Sequence, residues 1–230
     1  QKWFGYHLAN AVELPEPVHG FVPSKSTFTA AQTHLGASWV VSLDLEDFFG
    51  TVSTEKVSVV LEELGYPARA RRILVPLLTL NGSLPQGSPA SPVLANLSLR
   101  TLDQELTQLC TGRGVRFTRY ADDITLSGDQ RCAADPEELL QQVIEMCQQA
   151  GWRINAAKQR VDKVSSNGRV LGLLVHGEIL RLPKHLRNKV RLLEHLDAGE
   201  AREEVSLSPS QRGLLAYSRG LNEFNRRARN

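Results

Sequence analysis

Val115-Arg116-Phe117-Thr118-Arg119-Tyr120-Ala121-Asp122-Asp123-Ile124-Thr125-Leu126-Ser127 carries the strongest structural signal in the chain. Val115 and Phe117 alternate with polar neighbours, and so do Ile124 and Leu126, which is the period of a half-buried strand. The four residues Tyr120 to Asp123 leave room for only a tight connection, so the segment predicts a β-hairpin. Along a flat strand, adjacent side chains point to opposite faces, whereas a turn lets Asp122 and Asp123 point the same way. Two ionised carboxylates held close repel, and one takes up a proton unless a cation lies between them. Asp is also a common turn residue, so the pair alone does not decide the matter.

Asp44 adds weight to the cation. It ends the apolar run Trp39-Val40-Val41-Ser42-Leu43, which reads as a buried strand. A charge at the edge of an apolar core is costly unless it is paired, hydrogen-bonded or bound to metal. Asp44 could instead cap a following helix, with Asp47 three residues on. A strand-end Asp facing a hairpin-tip pair matches the needs of a phosphoryl-transfer site with two magnesium ions. Such ions take few carboxylates plus water and phosphate oxygens, and two of them can activate a 3′-hydroxyl and stabilise a leaving pyrophosphate.

Around these segments the chain predicts a helix over residues 1–12 and a second from Ser53 or Thr54 to Gly65. A third starts at Pro67 and ends near Leu74, before Pro76. A Gly, Pro and Ser-rich loop follows over Asn81 to Pro92, then one long helix from Val93 to Cys110. Asp135-Pro136-Glu137-Glu138 opens another helix, closed by Gly151. Short strands are expected at Arg153 to Asn155, Gln159 to Val164, Val170 to Val175 and Ile179 to Leu182. Two helices finish the chain, over about Pro183 to Leu196 and from the cap Ser208-Pro209-Ser210-Gln211. The mixed order implies an α+β fold with an antiparallel sheet.

The chain has 230 residues, 41% hydrophobic and 23% charged, a globular composition that excludes disordered and collagen-like classes. No apolar run approaches the roughly 20 residues that span a bilayer, so no membrane partner is expected. The first residue is Gln1 and no leader follows, which suggests a fragment with an N-terminal piece elsewhere. Cys110, Cys132 and Cys147 form no Cys-x-x-Cys pair, which argues against disulfides and zinc and for a reducing, cytoplasmic setting. From Arg181 to Asn230 there are 11 Lys and Arg against 6 Asp and Glu, while the first 180 residues hold 16 against 19. An acidic body with a basic C-terminal fifth implies a surface for a polyanion. The histidines, His34 included, show no ligand spacing.

These residues resemble a family. Tyr120-Ala121-Asp122-Asp123 is similar to the Tyr-x-Asp-Asp signature of reverse transcriptases. Ser42-Leu43-Asp44-Leu45-Glu46-Asp47-Phe48-Phe49 resembles their first catalytic motif, and Leu84-Pro85-Gln86-Gly87-Ser88-Pro89-Ala90-Ser91-Pro92 their Leu-Pro-Gln-Gly loop. Gly151-Trp152-Arg153-Ile154-Asn155 with Lys158 and Val170-Leu171-Gly172-Leu173 resemble the two motifs after these. His19-Gly20-Phe21-Val22-Pro23-Ser24-Lys25-Ser26 is similar to a fingers motif of the prokaryotic retron and group II intron branch.

The resemblance implies a right-hand polymerase that copies RNA into DNA from dNTPs. Residues 1–38 would be partial fingers and the connection to the palm. Residues 39–52 would be palm, 53–91 an insertion between fingers and palm, 92–180 palm with the primer-grip region, and 181–230 a partial basic thumb. Asp44, Asp122 and Asp123 become the catalytic acids. With the Leu45 carbonyl they would hold two Mg²⁺ ions, for which Mn²⁺ could substitute. Asp47, Phe48, Phe49, Gln86 and Lys158 would meet the nucleotide: backbone N–H groups near Asp47 and Phe48 at the triphosphate, Phe49 as a gate against a ribose 2′-hydroxyl, Gln86 at the nascent pair, Lys158 at the leaving pyrophosphate. Lys25, Tyr120, Gly172, Arg181, Lys184, Arg187, Lys189 and Arg191 would contact template and primer, the basic ones through phosphates.

The implied partners are an RNA template, a DNA or RNA primer and dNTPs, with a structured non-coding RNA and a defence effector protein if the system is a retron. Two retron motifs depart from pattern: Ala30-Ala31-Gln32-Thr33-His34 stands for Asn-Ala-x-x-His, and Val170-Leu171-Gly172 for Val-Thr-Gly. A CRISPR-associated or group II intron-derived enzyme, an untemplated or protein-primed polymerase, and an inactive nucleic-acid-binding palm are the alternatives. The family's earlier triphosphate-binding motif would lie before Gln1.

Overall fold

A computed structural model describes residues 1–164, 168–197 and 207–229. Part of the expected thumb, 198–206 and residue 230, lies outside the described residues, as do 165–167 of the expected palm.

The elements run α1 (Lys2–Ala11), α2 (Thr27–Thr33), β1 (Trp39–Asp44), α3 (Thr54–Glu63), α4 (Ala68–Leu78), α5 (Ser91–Ser98), α6 (Arg100–Gly112), β2 (Arg116–Tyr120) and β3 (Asp123–Gly128). After these come α7 (Pro136–Gln149), β4 (Arg160–Lys163), β5 (Arg169–Val170), β6 (Leu173–Leu174), α8 (Lys184–Asp197) and α9 (Pro209–Arg227). The main sheet is antiparallel in the order β2-β3-β1-β4, and β5 and β6 form a separate hairpin. This is the α+β fold with an antiparallel sheet that the sequence predicts.

The predicted hairpin is β2 and β3, with Tyr120 opposite Asp123 and only Ala121 and Asp122 between them. Ala121 has φ 56°, the left-handed first position of the primed turns whose twist matches paired strands. β1 pairs with β3 so that Val41 faces Leu126, Leu43 faces Ile124 and Asp44 faces Asp123. Alternation divides the sheet. Trp39, Val41, Leu43, Phe117, Ile124 and Leu126 enter one core with α3, α5, α6 and α7. On the opposite face Val40 enters a second core, built from β5, β6, α8 and α9. There His34 bridges Ser127 Oγ at 2.7 Å and Thr118 Oγ1 at 2.8 Å. Burial lowers its pKa to about 3, so this histidine is a neutral core residue.

One sheet edge is partly covered and the other is charged. On β2, the Arg119 N–H donates to the Pro17 carbonyl and its own carbonyl accepts from the His19 N–H. On β4, the four residues Arg160-Val161-Asp162-Lys163 carry three charges, a usual way of blunting an exposed edge.

Several elements differ from expectation. Helix α4 passes through Pro76 and ends at Leu78; the hydrogen bond that Pro76 cannot make falls on a solvent-exposed stretch with Arg72 and Ile73, where water can take the freed carbonyl. The long helix from Val93 breaks at Leu99, whose N–H turns back to the Asn96 carbonyl at 3.2 Å. Val170 to Val175 is no single strand, because Leu171 and Gly172 both have positive φ, 49° and 81°, and make a two-residue turn between β5 and β6. Arg153 to Asn155 and Ile179 to Leu182 each contribute one bridge, Ile154 to Leu45 and Arg181 to Leu174. The capping signals hold: Asp135 accepts from the Glu137 and Glu138 N–H groups, and Ser208 and Gln211 form a reciprocal box.

Candidate nucleotidyl-transfer site

The open end of the sheet forms a cleft of about 410 Å³, lined by residues from five separate stretches: Phe21; Asp44 to Phe49; Gln86; Ala121 and Asp122; and Asn155 and Lys158. Asp44 and Asp122 line it directly, and register sets Asp123 beside Asp44. Asp44 and Asp123 are direct cross-strand partners and so project from one face of the sheet. Asp122 follows in the turn, and its carbonyl accepts the Leu45 N–H at 3.0 Å, which ties the hairpin tip to the end of β1. Asp44 is no helix cap. Its carboxylate is almost fully buried and salt-bridged to the Lys158 ammonium at 2.8 Å, with the Asn155 amide 3.4 Å from its other oxygen.

The electrostatics show a deficit of positive charge. Burial, then the neighbouring Asp122 and Asp44, push the Asp123 carboxyl up to about 6. Asp122 is raised as well, by burial first and by Asp44 in addition. Lys158 is raised by its hydrogen bond to Asp44 and by the charge of the acids. Two positive charges, Lys158 and, acting on Asp123, Arg160, thus face three carboxylates. Among the described residues no three His, Cys, Asp or Glu side chains close on a common point as ligands. The donors on offer are carboxylate oxygens and the backbone of Leu45, hard ligands suited to magnesium or manganese and not to a thiophilic metal.

The aromatic side of the cleft is a chain of rings. Phe21 lies 6.2 Å from Phe49, Phe49 lies 5.1 Å from Phe48, and Phe48 lies 6.1 Å from Trp152. Lys56 sits 3.9 Å over Trp152 and closes the series. Asp47 holds φ 46° at the bend that follows β1.

Behind the acids lies a buried polar network that motif reading did not assign. Arg119, fully buried, donates through Nε and Nη2 to the two oxygens of Asp103 at 2.7 and 2.6 Å. Its Nη1 reaches Asn96 at 3.0 Å and the Ala121 carbonyl at 2.8 Å. Asn96 in turn donates to the Gly20 carbonyl at 2.8 Å. Gly20 packs so tightly on the hairpin tip that a Cβ there would lie 2.2 Å from the Ala121 nitrogen; only glycine fits. The available signal was Arg119 itself, a charge on the sheet face it shares with Phe117.

Other expected contacts lie elsewhere. Tyr120 flanks the turn without lining the cleft, and Lys25 turns its ammonium to the Glu16 carbonyl. Gly172 sits in the β5–β6 turn. Arg181, Arg187 and Arg191 line a separate cleft between α8 and α9, while Lys184 and Lys189 are exposed on α8.

The sequence model of the family described as "Reverse transcriptase (RNA-dependent DNA polymerase)" matches residues 4–175. The retron Mx65 reverse transcriptase of Myxococcus xanthus is 33% identical over 233 residues, covering 94% of this chain and 54% of that protein. The retron Ec86 reverse transcriptase of Escherichia coli is 32% identical over 186 residues, covering 80% and 57%. The chain therefore spans about half the length of these curated relatives. Among solved structures, apo telomerase from Candida tropicalis, truncated from the C-terminal domain, superposes with a TM-score of 0.54 at 12% identity, over 79% of this chain and 44% of that one. This last likeness concerns the fold.

Proposed function

Because the chain belongs to the reverse transcriptase (RNA-dependent DNA polymerase) family, we propose that it extends a primer with dNTPs along an RNA template, as the polymerase of a retron. The observation that carries this reading is that Asp44 and Asp122 line one cleft with Phe49 and Gln86, while Asp123 pairs across the strands with Asp44. The retron relatives support the system; a structured non-coding RNA and a defence effector protein would be its further partners.

Asp44, Asp122, Asp123 and the Leu45 carbonyl would hold two magnesium ions, which when bound would activate the primer 3′-hydroxyl and neutralise charge on the phosphates. The chain's own groups do the rest. Lys158 offers its ammonium to the phosphate that leaves. Gln86 and the backbone after Asp44 orient the nucleotide. Phe49 stacks under the sugar and leaves no room for a 2′-hydroxyl. Residues 39–52 and 92–180 act as palm, with the basic 181–230 segment holding duplex phosphates. No helix among the described residues is long and apolar enough to cross a membrane.

Primer extension with an RNA template, dNTPs and Mg²⁺ tests the reading. Template-dependent DNA synthesis is the expected result. Synthesis that persists without template would favour the untemplated alternative, and binding without extension the inactive one. Phe49→Ala is expected to raise ribonucleotide incorporation relative to deoxynucleotide by about 10-fold or more, the scale of a single pocket group. Equal discrimination before and after would remove the gate.

A further inference from the structure

We propose that Phe21 is a specificity-determining residue of the nucleotide pocket: it forms the outer aromatic wall and holds the Phe49 ring in its gating position. The inference deepens the polymerase reading and rests on it.

Three observations lead there. Phe21 is a large apolar side chain left 46% exposed, yet it borders a cleft whose other side carries Asp44, Asp122 and Lys158. Packing in a core does not account for its position. Its φ is 59°, a left-handed conformation that bulky side chains avoid. A residue held there against its preference is kept by its surroundings, and such positions gather at binding sites. The surroundings are on hand. Gly20, the preceding residue, is pressed against the Ala121 nitrogen and anchored by Asn96. Asn96 is held by Arg119, which also grips the Ala121 carbonyl. The turn that carries Asp122 and the bend that presents Phe21 are thus fixed to one buried guanidinium.

The ring then meets Phe49. Their centroids are 6.2 Å apart at 51°, within the range of an attractive aromatic pair. Phe49 is supported on its other side by Phe48, so Phe21 is the support on the solvent side. Without it, Phe49 can swing outward and open the space in which a 2′-hydroxyl would sit. A nucleotide bound between the acids and this wall would cover the apolar surface that Phe21 now shows to water.

The test is single-nucleotide incorporation with dNTP and with the matching rNTP, measuring kcat and KM for each. The proteins are the parent chain, Phe21→Ala, Phe21→Tyr, Phe49→Ala and the double variant. Phe21→Ala should lower discrimination against the ribonucleotide by about 2- to 10-fold, the worth of one aromatic pair. That change should come mainly through ribonucleotide KM. Phe21→Tyr keeps the ring and should keep the discrimination. The double variant should be no more permissive than Phe49→Ala. Parent-like discrimination by Phe21→Ala, or independent and multiplying effects of the two alanines, would overturn this inference while the polymerase reading stands. Absence of any extension by the parent chain would overturn both.

Discussion

Asp122→Asn is expected to reduce primer extension by more than ~100-fold while leaving folding and duplex binding in place. Loss of even an outer partner of a metal ligand typically costs 10- to 100-fold, and Asp122 would be a direct one. Duplex binding should survive because the basic residues of α8 and α9 lie outside the acid-lined cleft. The stability effect has a definite sign. The Asp123 carboxyl stands at about 6, above its ordinary 3.8, through burial and then the charges of Asp122 and Asp44. A raised carboxyl binds its proton more tightly in the folded state, so its contribution is fully present below about 3.8. That contribution is lost as pH rises through about 6. At pH 8 without metal, the acids therefore oppose folding, and removing one charge relieves them. The thermal midpoint of metal-free Asp122→Asn should equal or exceed that of the parent at pH 8. A lower midpoint would show that Asp122 is structural, and undiminished extension would refute its metal role.

Arg119→Met is expected to destabilise the fold by about 3–5 kcal/mol, the cost of breaking a buried ion pair from one side. Domains of this size are stable by only ~5–15 kcal/mol. Three partners lose their donor: both oxygens of Asp103, the Asn96 carbonyl oxygen and the Ala121 carbonyl. Burial already pushes the Asp103 carboxyl up, against the pull of Arg119, and removing the guanidinium removes that opposing pull. Urea unfolding measures the change. Pairing the substitution with Asp103→Leu should recover part of the loss, since two apolar groups can fill the space of a buried pair. A single variant within about 0.5 kcal/mol of the parent, the range of ordinary surface changes, would show the network to be unimportant for stability.

What the sequence reveals follows from how local each signal is. The hairpin around Ala121 was readable because its alternation and its turn lie within thirteen residues, and the caps at Asp135 and Ser208 because a cap spans four. The meeting of Asp44 with Asp123 is a matter of register between strands some eighty residues apart. No local pattern fixes that register, and the resemblance to known motifs pointed to it instead. The break at Leu99 has no local signal, since neither Gly nor Pro marks it; the residue is fully buried, and tertiary packing sets its conformation. Pro76 misled in the opposite direction, since a proline whose missing bond faces water does not end a helix. Phe21 and Arg119 were hidden because their meaning lies in partners far along the chain. An arginine on an apolar strand face reads as a conflict until Asp103, on another element, resolves it.

The closure of the β2 edge by Pro17, Val18 and His19 bears on handling and engineering. An uncovered edge strand invites association between copies through its free backbone groups. Here the cover is the same short segment that leads into Gly20 and Phe21. Trimming the amino-terminal region to make a smaller core would therefore remove two things in one cut: the proposed wall of the nucleotide pocket and the cover on this part of the β2 edge. Any minimal version of this protein must begin upstream of Pro17.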